Sequence, residues 1–350
     1  MDYIEGLSEI IKSYFKILSE EFPNFLYDYI NTPVMQKQAK ISTSCGMIYS
    51  KMYNQMWYSS LDHSIAVSLI IWHFTKDKKQ TLSGLFHDIA TPVFKHCVDF
   101  MNKDYEKQES TEELTTKIIC DSKELMDLLN RDGIKIEEVS DYHKYPIADN
   151  DTPKLSSDRL EYTLSNGLGV TEKLWNLEDV EKIYHNIEVQ KNEEGIEELG
   201  FKDKEIAEKF VNTMSILSRL YRKDKTIFSM QFLADIMKNM SEKKIISVND
   251  LYNLSEKEII ERIEQCEESN ISKCFKIWKN AKEVNTSQIR PEEKYFVNIE
   301  KTKIRYINPL VQTDREYARL TDISDIARND INEAINYKTA KYTYLDFNFN

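Results

Sequence analysis

The scarcity of glycine and proline constrains the fold of this chain more than any other feature of its sequence. There are 8 glycines and 7 prolines among 350 residues, whereas the two together make up about 12% of an average protein. A fold with many strands needs a turn at nearly every connection, so this composition disfavours a sandwich, barrel or propeller. We therefore expect a mainly α fold with long helices.

The positions of the glycines exclude two nucleotide-binding motifs. No three of them form G-x-G-x-x-G, the fingerprint of a Rossmann dinucleotide site. Gly195 and Gly200 have the spacing of a phosphate-binding P-loop, but Phe201 stands where that loop requires lysine. A phosphate-containing ligand would therefore need a different kind of site.

Cysteine use, hydropathy and charge restrict the location and the partners. The five cysteines form no C-x-x-C pair, which favours reduced thiols in a cytoplasmic protein. We expect no signal peptide and no membrane span, because the longest apolar run, Ile65 to Trp72, is far shorter than the ~20 residues that a span needs. The net charge of -12 argues against a protein that coats nucleic acid, but a local basic patch can still bind an anion.

Hydrophobic periodicity predicts helices through most of the chain and strands only near its end. Helical spacing is found over 3–19, 61–76, 81–90, 111–130, 155–165, 203–222 and 226–240. The period changes to two over 294–308, which predicts a hairpin around 300–302, and residues 341–349 predict a further strand. We expect a helical domain over 1–170 and a mainly helical region over 171–350 that carries a small antiparallel sheet near 294–349.

Two of the six histidines lie in the most apolar of these helical segments. His63 lies in residues 61–67, LDHSIAV, and His87 is followed directly by Asp88 in a second apolar segment. A carboxylate among apolar residues is costly unless its charge is paired or bound to a metal. Asp158 opens a third apolar helix. Two imidazoles and two carboxylates suit Mn, Fe, Co, Ni or Zn, and suit Mg less well. The alternative is chance, since His-Asp pairs are common and buried histidines are often only hydrogen-bonded.

The order of these residues resembles the HD superfamily of metal-dependent phosphohydrolases. The pattern is a histidine on one helix, then His-Asp about two dozen residues later, then an aspartate some seventy residues further on. The flanking segments are most similar to the deoxynucleoside triphosphate triphosphohydrolases of the dGTPase type. They are residues 61–67, residues 85–99 (LFHDIATPVFKHCVD) and residues 157–164 (SDRLEYTL). Residues 303–311, KIRYINPLV, also resemble a basic strand of bacterial relatives.

This resemblance implies an HD-domain helical core that binds one divalent metal. The implied metal ligands are His63, His87, Asp88 and Asp158. The resemblance further implies that water attacks a phosphate of a bound nucleotide, giving a nucleoside and tripolyphosphate in the triphosphohydrolases. It places Arg159 and Tyr162 near phosphate or sugar, His96 near the phosphates, and Asp99 beside a histidine. Such relatives commonly form dimers or larger assemblies, so a homo-oligomer is implied as well.

Three departures from the branch pattern concern proton transfer and phosphate binding. Thr91 stands where a histidine is expected after His-Asp, Gln108 replaces a second histidine, and Ser60 replaces an arginine. Threonine cannot titrate near neutral pH. His96 or His143, the latter in a polar loop, would then have to transfer the proton. Lys95 and Arg159 would attract an anionic substrate, unless they are ordinary surface charges and His143 an ordinary loop histidine.

Three functions follow as hypotheses. The leading one is a metal-dependent phosphohydrolase acting on a nucleotide, similar to a dNTP triphosphohydrolase with an altered pocket. The second is an HD phosphodiesterase or nucleotidase acting on monophosphates or cyclic nucleotides. The third is a catalytically weak module that senses a nucleotide, which the missing histidines at Thr91 and Gln108 motivate.

Overall fold

A computed structural model of the protein describes residues 3–107, 114–267, 270–314 and 316–348. In these ranges the fold is mainly helical with two small sheets, which confirms the expected class. The helices of the first half are α1 (Glu9–Leu18), α2 (Phe25–Ile30), α3 (Pro33–Gln38), α4 (Ser60–Thr75), α5 (Lys78–Phe86), α6 (Cys97–Met101), α7 (Thr115–Asp121), α8 (Lys123–Arg131) and α9 (Ser157–Ser165). Those of the second half are α10 (Leu177–Tyr184), α11 (Lys204–Tyr221), α12 (Asp224–Glu242), α13 (Val248–Asn253), α14 (Glu256–Glu264), α15 (Ile271–Asn280), α16 (Leu320–Ile323) and α17 (Asp325–Ile335).

The strands form two sheets rather than one antiparallel sheet. They are β1 (Ile187–Lys191), β2 (Glu197–Phe201), β3 (Asn285–Ser287), β4 (Phe296–Val297), β5 (Leu310–Gln312), β6 (Tyr317–Arg319) and β7 (Tyr342–Tyr344). Sheet one has the order β1-β2-β5-β6 and is mixed, because β2 pairs with β5 in parallel. Sheet two has the order β3-β7-β4 and is antiparallel.

Two expectations about local structure are corrected. The hairpin over 294–308 is wrong, because β4 pairs with the distant β7 and residues 298–309 form no strand. The helix over 111–130 is divided in its described part. Ser122 adopts an extended backbone between α7 and α8, and its side chain accepts a hydrogen bond from the amide of Leu125 to begin α8.

Helices α4 and α5 form an antiparallel hairpin that determines where His63 and His87 meet. Ser59 and Asp62 form a capping box at the start of α4, and Lys76 ends the helix in the left-handed conformation. Asp77 then caps α5 by accepting from the amides of Lys79 and Gln80. At ~1.5 Å per residue, His63 lies roughly 20 Å before this turn and His87 roughly 16 Å after it. The two histidines therefore lie at the same end of the hairpin.

The buried apolar side chains form two main clusters. The first includes side chains from α1, α4, α5, α9, α10 and α11 together with sheet one, so it joins residues on both sides of position 170. The second includes α12 to α15, residues 93–100 and sheet two. The division of the chain into domains near residue 170 remains a prediction. Among the described residues, no helix is both long enough and apolar enough to cross a bilayer.

Candidate functional site

The four residues predicted as metal ligands come from three segments that meet beside the α4–α5 hairpin. His63 lies in the first turn of α4, and His87 immediately follows α5. Asp88 belongs to the turn after α5, so it does not lie inside a helix as its apolar surroundings suggested. Asp158 is the second residue of α9, which packs against α4. The fold thus brings together residues that are far apart in the sequence.

The distances between these groups are those of a potential metal centre. The Nε2 atoms of His63 and His87 lie 3.2 Å apart. The Oδ1 atom of Asp158 lies 3.1 Å from Nε2 of His63 and 3.7 Å from Nε2 of His87. One oxygen of Asp88 lies 3.9 Å from Nε2 of His87. The ligand atoms of His63, His87 and Asp88 all lie within 4.8 Å of one another, and two ligands at about 2.1 Å from one ion would be about 3 Å apart.

The outer nitrogens of both histidines are held by oxygen acceptors. Nδ1 of His63 is hydrogen-bonded to Oε2 of Glu161, and Nδ1 of His87 lies 2.7 Å from the carbonyl oxygen of Gly84. A proton on each Nδ1 leaves each Nε2 free to coordinate, which is the usual support of a metal-binding histidine. Glu161 was not predicted, and it is entirely buried. These contacts show that the donor set fits a divalent ion.

The side chains of His63, His87, Asp88 and Asp158 form a charged cluster that is largely shielded from solvent. Burial opposes the charge of His63, but the carboxylates of Glu161 and Asp158 outweigh it and raise the pKa of His63 to about 10. Burial likewise opposes the charge of Asp158, but His63 holds the pKa of that carboxyl well below its usual range. In the protein without metal, the imidazolium therefore neutralises the carboxylates. Metal binding would displace this proton.

Lys95 contacts the centre directly. Its Nζ lies 2.6 Å from Oδ2 of Asp88. Burial lowers the pKa of Lys95, but the Asp88 carboxylate outweighs this effect and raises it overall. Phe94 and Lys95 both have positive φ angles, of 61° and 42°, a costly backbone for residues other than glycine. This turn is what directs Lys95 back toward Asp88.

His96 and Asp99 form a second pair at the edge of the site. Nδ1 of His96 lies 2.9 Å from Oδ2 of Asp99, which is buried in the first turn of α6. Burial lowers the pKa of His96, although Asp99 partly opposes this effect. His96 is therefore a neutral imidazole at pH 7, oriented by a carboxylate and about one-third exposed (36%).

The remaining predicted residues line one cavity of about 460 Å³ together with the four predicted metal ligands. Arg159 lies 3.1 Å from Asp149 and donates to the side chain of Asn150 at 2.7 Å, so it also holds the loop before α9. Tyr162 is one helical turn further on, and burial raises its pKa to about 12. His143 is half-exposed at the cavity, with Nε2 3.4 Å from Oδ2 of Asp149.

Other residues of the cavity were not predicted as site residues. Gln55 and Tyr221 line it, and Oε1 of Gln55 and Oη of Tyr221 are buried without a hydrogen-bond partner in the described part of the chain. Residues 302–305 form another part of the wall. Of the three departures from the family pattern, Ser60 and Thr91 are buried and do not line the cavity. Gln108 lies outside the described residues.

Comparison with known proteins supports the fold more than the function. No family model matches the chain. An uncharacterized protein of Bacillus subtilis, YdhJ, is 23% identical over 300 residues, which cover 85% of this chain and 87% of that protein. Among solved structures, a hypothetical protein from Aquifex aeolicus matches with a TM-score of 0.63 and 15% identity over 93% of each chain. A protein of Bacteroides thetaiotaomicron described as a phosphohydrolase matches with a TM-score of 0.56 and 14% identity, covering 93% of this chain and 96% of its own.

Proposed function

We propose that this protein is a metal-dependent phosphohydrolase of the HD type that acts on a nucleotide. The observation that carries the proposal is the convergence of two histidine Nε2 atoms and the Asp158 carboxylate within 3.1 to 3.7 Å of one another, at the wall of a cavity. The fold shared with the Bacteroides thetaiotaomicron phosphohydrolase agrees with it. Because its sequence motifs resemble those of the dNTP triphosphohydrolases, we further propose that this protein releases tripolyphosphate from a nucleoside triphosphate.

His63, His87, Asp88 and Asp158 would hold the ion. A bound divalent metal would lower the pKa of a coordinated water and neutralise charge on a phosphate. The Glu161 carboxylate and the Gly84 carbonyl keep the two imidazoles turned toward it. His96, held by Asp99, is the group placed to move a proton, and Lys95 and Arg159 bring positive charge to the cavity wall.

The size and the polarity of the cavity support a nucleotide as the proposed ligand. A volume of about 460 Å³ lies in the range of small-molecule sites. Tyr58, Tyr162 and Tyr221 provide aromatic surface, while the unpartnered oxygens of Gln55 and Tyr221 offer hydrogen bonds to a polar ligand. A buried polar atom without a partner is costly, so a ligand that supplies the partner gains affinity.

Two measurements test the proposal. The first is metal analysis of protein that was purified without chelator. The second is an activity assay with Mn and a panel of dNTPs, NTPs and other phosphoesters. About one metal per chain and release of tripolyphosphate are expected. Release of orthophosphate or a linear nucleotide would instead support a nucleotidase or phosphodiesterase. His87→Ala should abolish both metal content and turnover while the helical circular dichroism persists. Unchanged metal content in that variant would refute the assignment of the ligands.

A nucleotide-sensing module with weak catalysis is the second candidate. It is favoured by Thr91, a residue that cannot titrate near pH 7, in the place of a family histidine. The Thr91 carbonyl accepts hydrogen bonds from Lys37 and Gln38, so this segment is part of the packed interior. The sensor predicts thermal stabilisation by a nucleotide without turnover. Robust turnover with Mn would reject it.

A further inference from the structure

The connection that runs from Asp88 to His96 carries three of the proposed site residues, the third being Lys95. It links α5 to α6, and its residues form turns and irregular backbone. The Thr91 amide donates to the Asp88 carbonyl at 3.0 Å, which closes one turn. The Lys95 amide donates to the Pro92 carbonyl at 3.0 Å, which closes another. Segments held only by single turns open locally at low free energy. The placement of the site residues on this connection therefore depends on contacts with other parts of the fold.

Gln38, the last residue of α3, supplies one of these contacts. It is buried, and its Nε2 atom donates to the carbonyl of Ile89 at 2.6 Å and lies 3.4 Å from the carbonyl of Thr91. Carbonyl oxygens only accept hydrogen bonds, so the side-chain amide must present its nitrogen to them. Its Oε1 atom is buried without a hydrogen-bond partner among the described residues. Gln38 thus holds the backbone beside Asp88 even though this orientation leaves a buried acceptor unpaired, which costs free energy.

Two further contacts hold the same connection. The Nζ atom of Lys37, which also belongs to α3, donates to the carbonyl of Thr91 at 2.8 Å. The amide of Val93 donates to the carbonyl of Leu251 in α13 at 2.8 Å. The turn with positive φ angles begins at the residue after Val93. Helix α3 therefore anchors the first half of the connection, and α13 anchors its second half.

We propose that Gln38 and Lys37 are positioning residues that clamp this connection. The clamp keeps the Asp88 carboxylate between Nε2 of His87, 3.9 Å from Oδ1, and Nζ of Lys95, 2.6 Å from Oδ2. Neither Gln38 nor Lys37 lines the cavity, so each acts through the backbone carbonyl that it holds. Metal affinity depends on the contacts that orient the ligands, so a looser connection should bind metal more weakly. This inference rests on the proposed function for the role of Asp88 as a metal ligand, whereas the clamp itself is a property of the metal-free fold.

Hydrogen exchange measured by mass spectrometry on the full-length, metal-free protein tests the clamp. Gln38→Met keeps nearly the volume of the side chain but removes the donor. Peptides that cover residues 88–97 should exchange about tenfold faster in this variant, as expected for the loss of one buried hydrogen bond. Gln36→Met is the matched control, because Gln36 lies in the same helix and donates to the Ile30 carbonyl at 2.8 Å, and neither of these residues lines the cavity. Lys37→Met should also speed exchange over 88–97, and Lys37→Arg, which retains a donor, should restore the natural rate.

A titration of the same proteins with Mn tests the consequence for the proposed metal ligand. Gln38→Met should bind Mn about tenfold more weakly than the natural protein, the lower end of the usual effect of a lost supporting contact. Gln36→Met should bind Mn as the natural protein does. Thermal unfolding of both variants separates positioning from stability, because each variant loses one hydrogen bond from α3 to a backbone carbonyl.

Natural exchange rates over residues 88–97 in Gln38→Met would overturn the clamp. Equal Mn affinities in Gln38→Met and Gln36→Met would overturn its effect on the proposed metal ligand. If the natural protein binds no Mn, the proposed function fails, and the exchange experiment still decides whether Gln38 and Lys37 hold the connection.

Discussion

The Glu161 carboxylate is hydrogen-bonded to Nδ1 of His63, on the opposite side of the imidazole from Asp158. Its other oxygen accepts hydrogen bonds from Tyr58 at 2.7 Å and from Tyr14 at 3.2 Å. Glu161 is fully buried and spaced three residues from Asp158 on one face of α9. A single helix thus supplies one of the proposed metal ligands, Asp158, and the carboxylate that orients another, His63.

Glu161→Gln should weaken metal binding by about 10- to 100-fold, the usual effect of removing such a supporting carboxylate. Glutamine has nearly the same shape but lacks the charge that keeps the His63 proton on Nδ1. The measurement is a titration with Mn of protein from which metal has been removed by a chelator. Glu138→Gln provides a comparison, because Glu138 pairs with Lys79 away from the cavity. Equal metal affinities in the two variants would show that Glu161 has only a packing role.

Lys95→Gln should leave the metal content intact and weaken the binding of a phosphate substrate. The Lys95 ammonium neutralises Asp88 through Oδ2, while Oδ1 faces His87. Loss of the lysine therefore leaves the ligand oxygen in place but removes a cation from the cavity. We expect an increase in KM of about tenfold or more for a phosphate substrate, as for a lost charge-assisted contact. Metal analysis and steady-state kinetics on the same preparation separate the two effects, and loss of metal would assign Lys95 a structural role instead.

The sequence alone predicted the helical class, because composition and periodicity are local patterns. It also singled out His63, His87, Asp88 and Asp158, through a resemblance to a family pattern, and the fold brings these four side chains together. Glu161 was missed, although the argument used for Asp88 applies equally to it: a carboxylate within an apolar helix needs a partner. Its spacing of three from Asp158 places the two on one helix face. The spacing therefore contained the signal for the supporting residue.

The strands were predicted less well, because the partner of a strand is determined by distant residues. Residues 296 and 297 alternate as expected, but they pair with residues 343 and 344 instead of turning back at 300–302. The hairpin of β1 and β2 lay in a region for which no strand had been predicted. The sequence signal for its turn was Gly195, which has a φ of 75°. Glycine adopts this angle at low cost because it has no side chain. The part of the cavity wall formed by residues 302–305 likewise depends on tertiary contacts that periodicity cannot give.

His96→Gln should lower kcat about 100-fold or more while metal content and helicity persist. The contact with Asp99 places the proton of the neutral ring on Nδ1, so Nε2 is an acceptor and His96 begins the cycle as a base. Because burial lowers the pKa of His96, kcat/KM of the natural protein should rise with pH below about 6.5, the ordinary histidine pKa, and then level off. A pH profile of both proteins checks this, and an unchanged acidic limb in His96→Gln would assign the titration to another group.

A second buried carboxylate, Glu256, lies behind the turn that carries Lys95 and His96. It is the first residue of α14 and is fully buried. Neither of its carboxylate oxygens has a hydrogen-bond partner of ordinary geometry among the described residues. Burial raises the pKa of Glu256 to about 8, although Tyr49 and the nearby amides of Ser42 and Phe94 oppose the shift. Lys37 is the neighbouring cation, and burial lowers its pKa to about 7.

Glu256→Gln should stabilise the fold at pH 8 and remove a pH dependence of stability. Between pH 4.5, the ordinary glutamate value, and about pH 8, the folded protein retains a proton that the unfolded chain releases, so stability falls as pH rises through this window. Lys37 has the opposite effect on stability above about pH 7, since its amine must release a proton on folding.

We expect the free energy of unfolding of the Glu256→Gln variant, relative to that of the natural protein, to increase by on the order of 2–4 kcal/mol between pH 5 and pH 8. Urea unfolding at pH 5, 6.5 and 8 measures it, with the exposed Glu261→Gln as control. Parallel stability profiles for all three proteins would show that Glu256 is ionised in the fold.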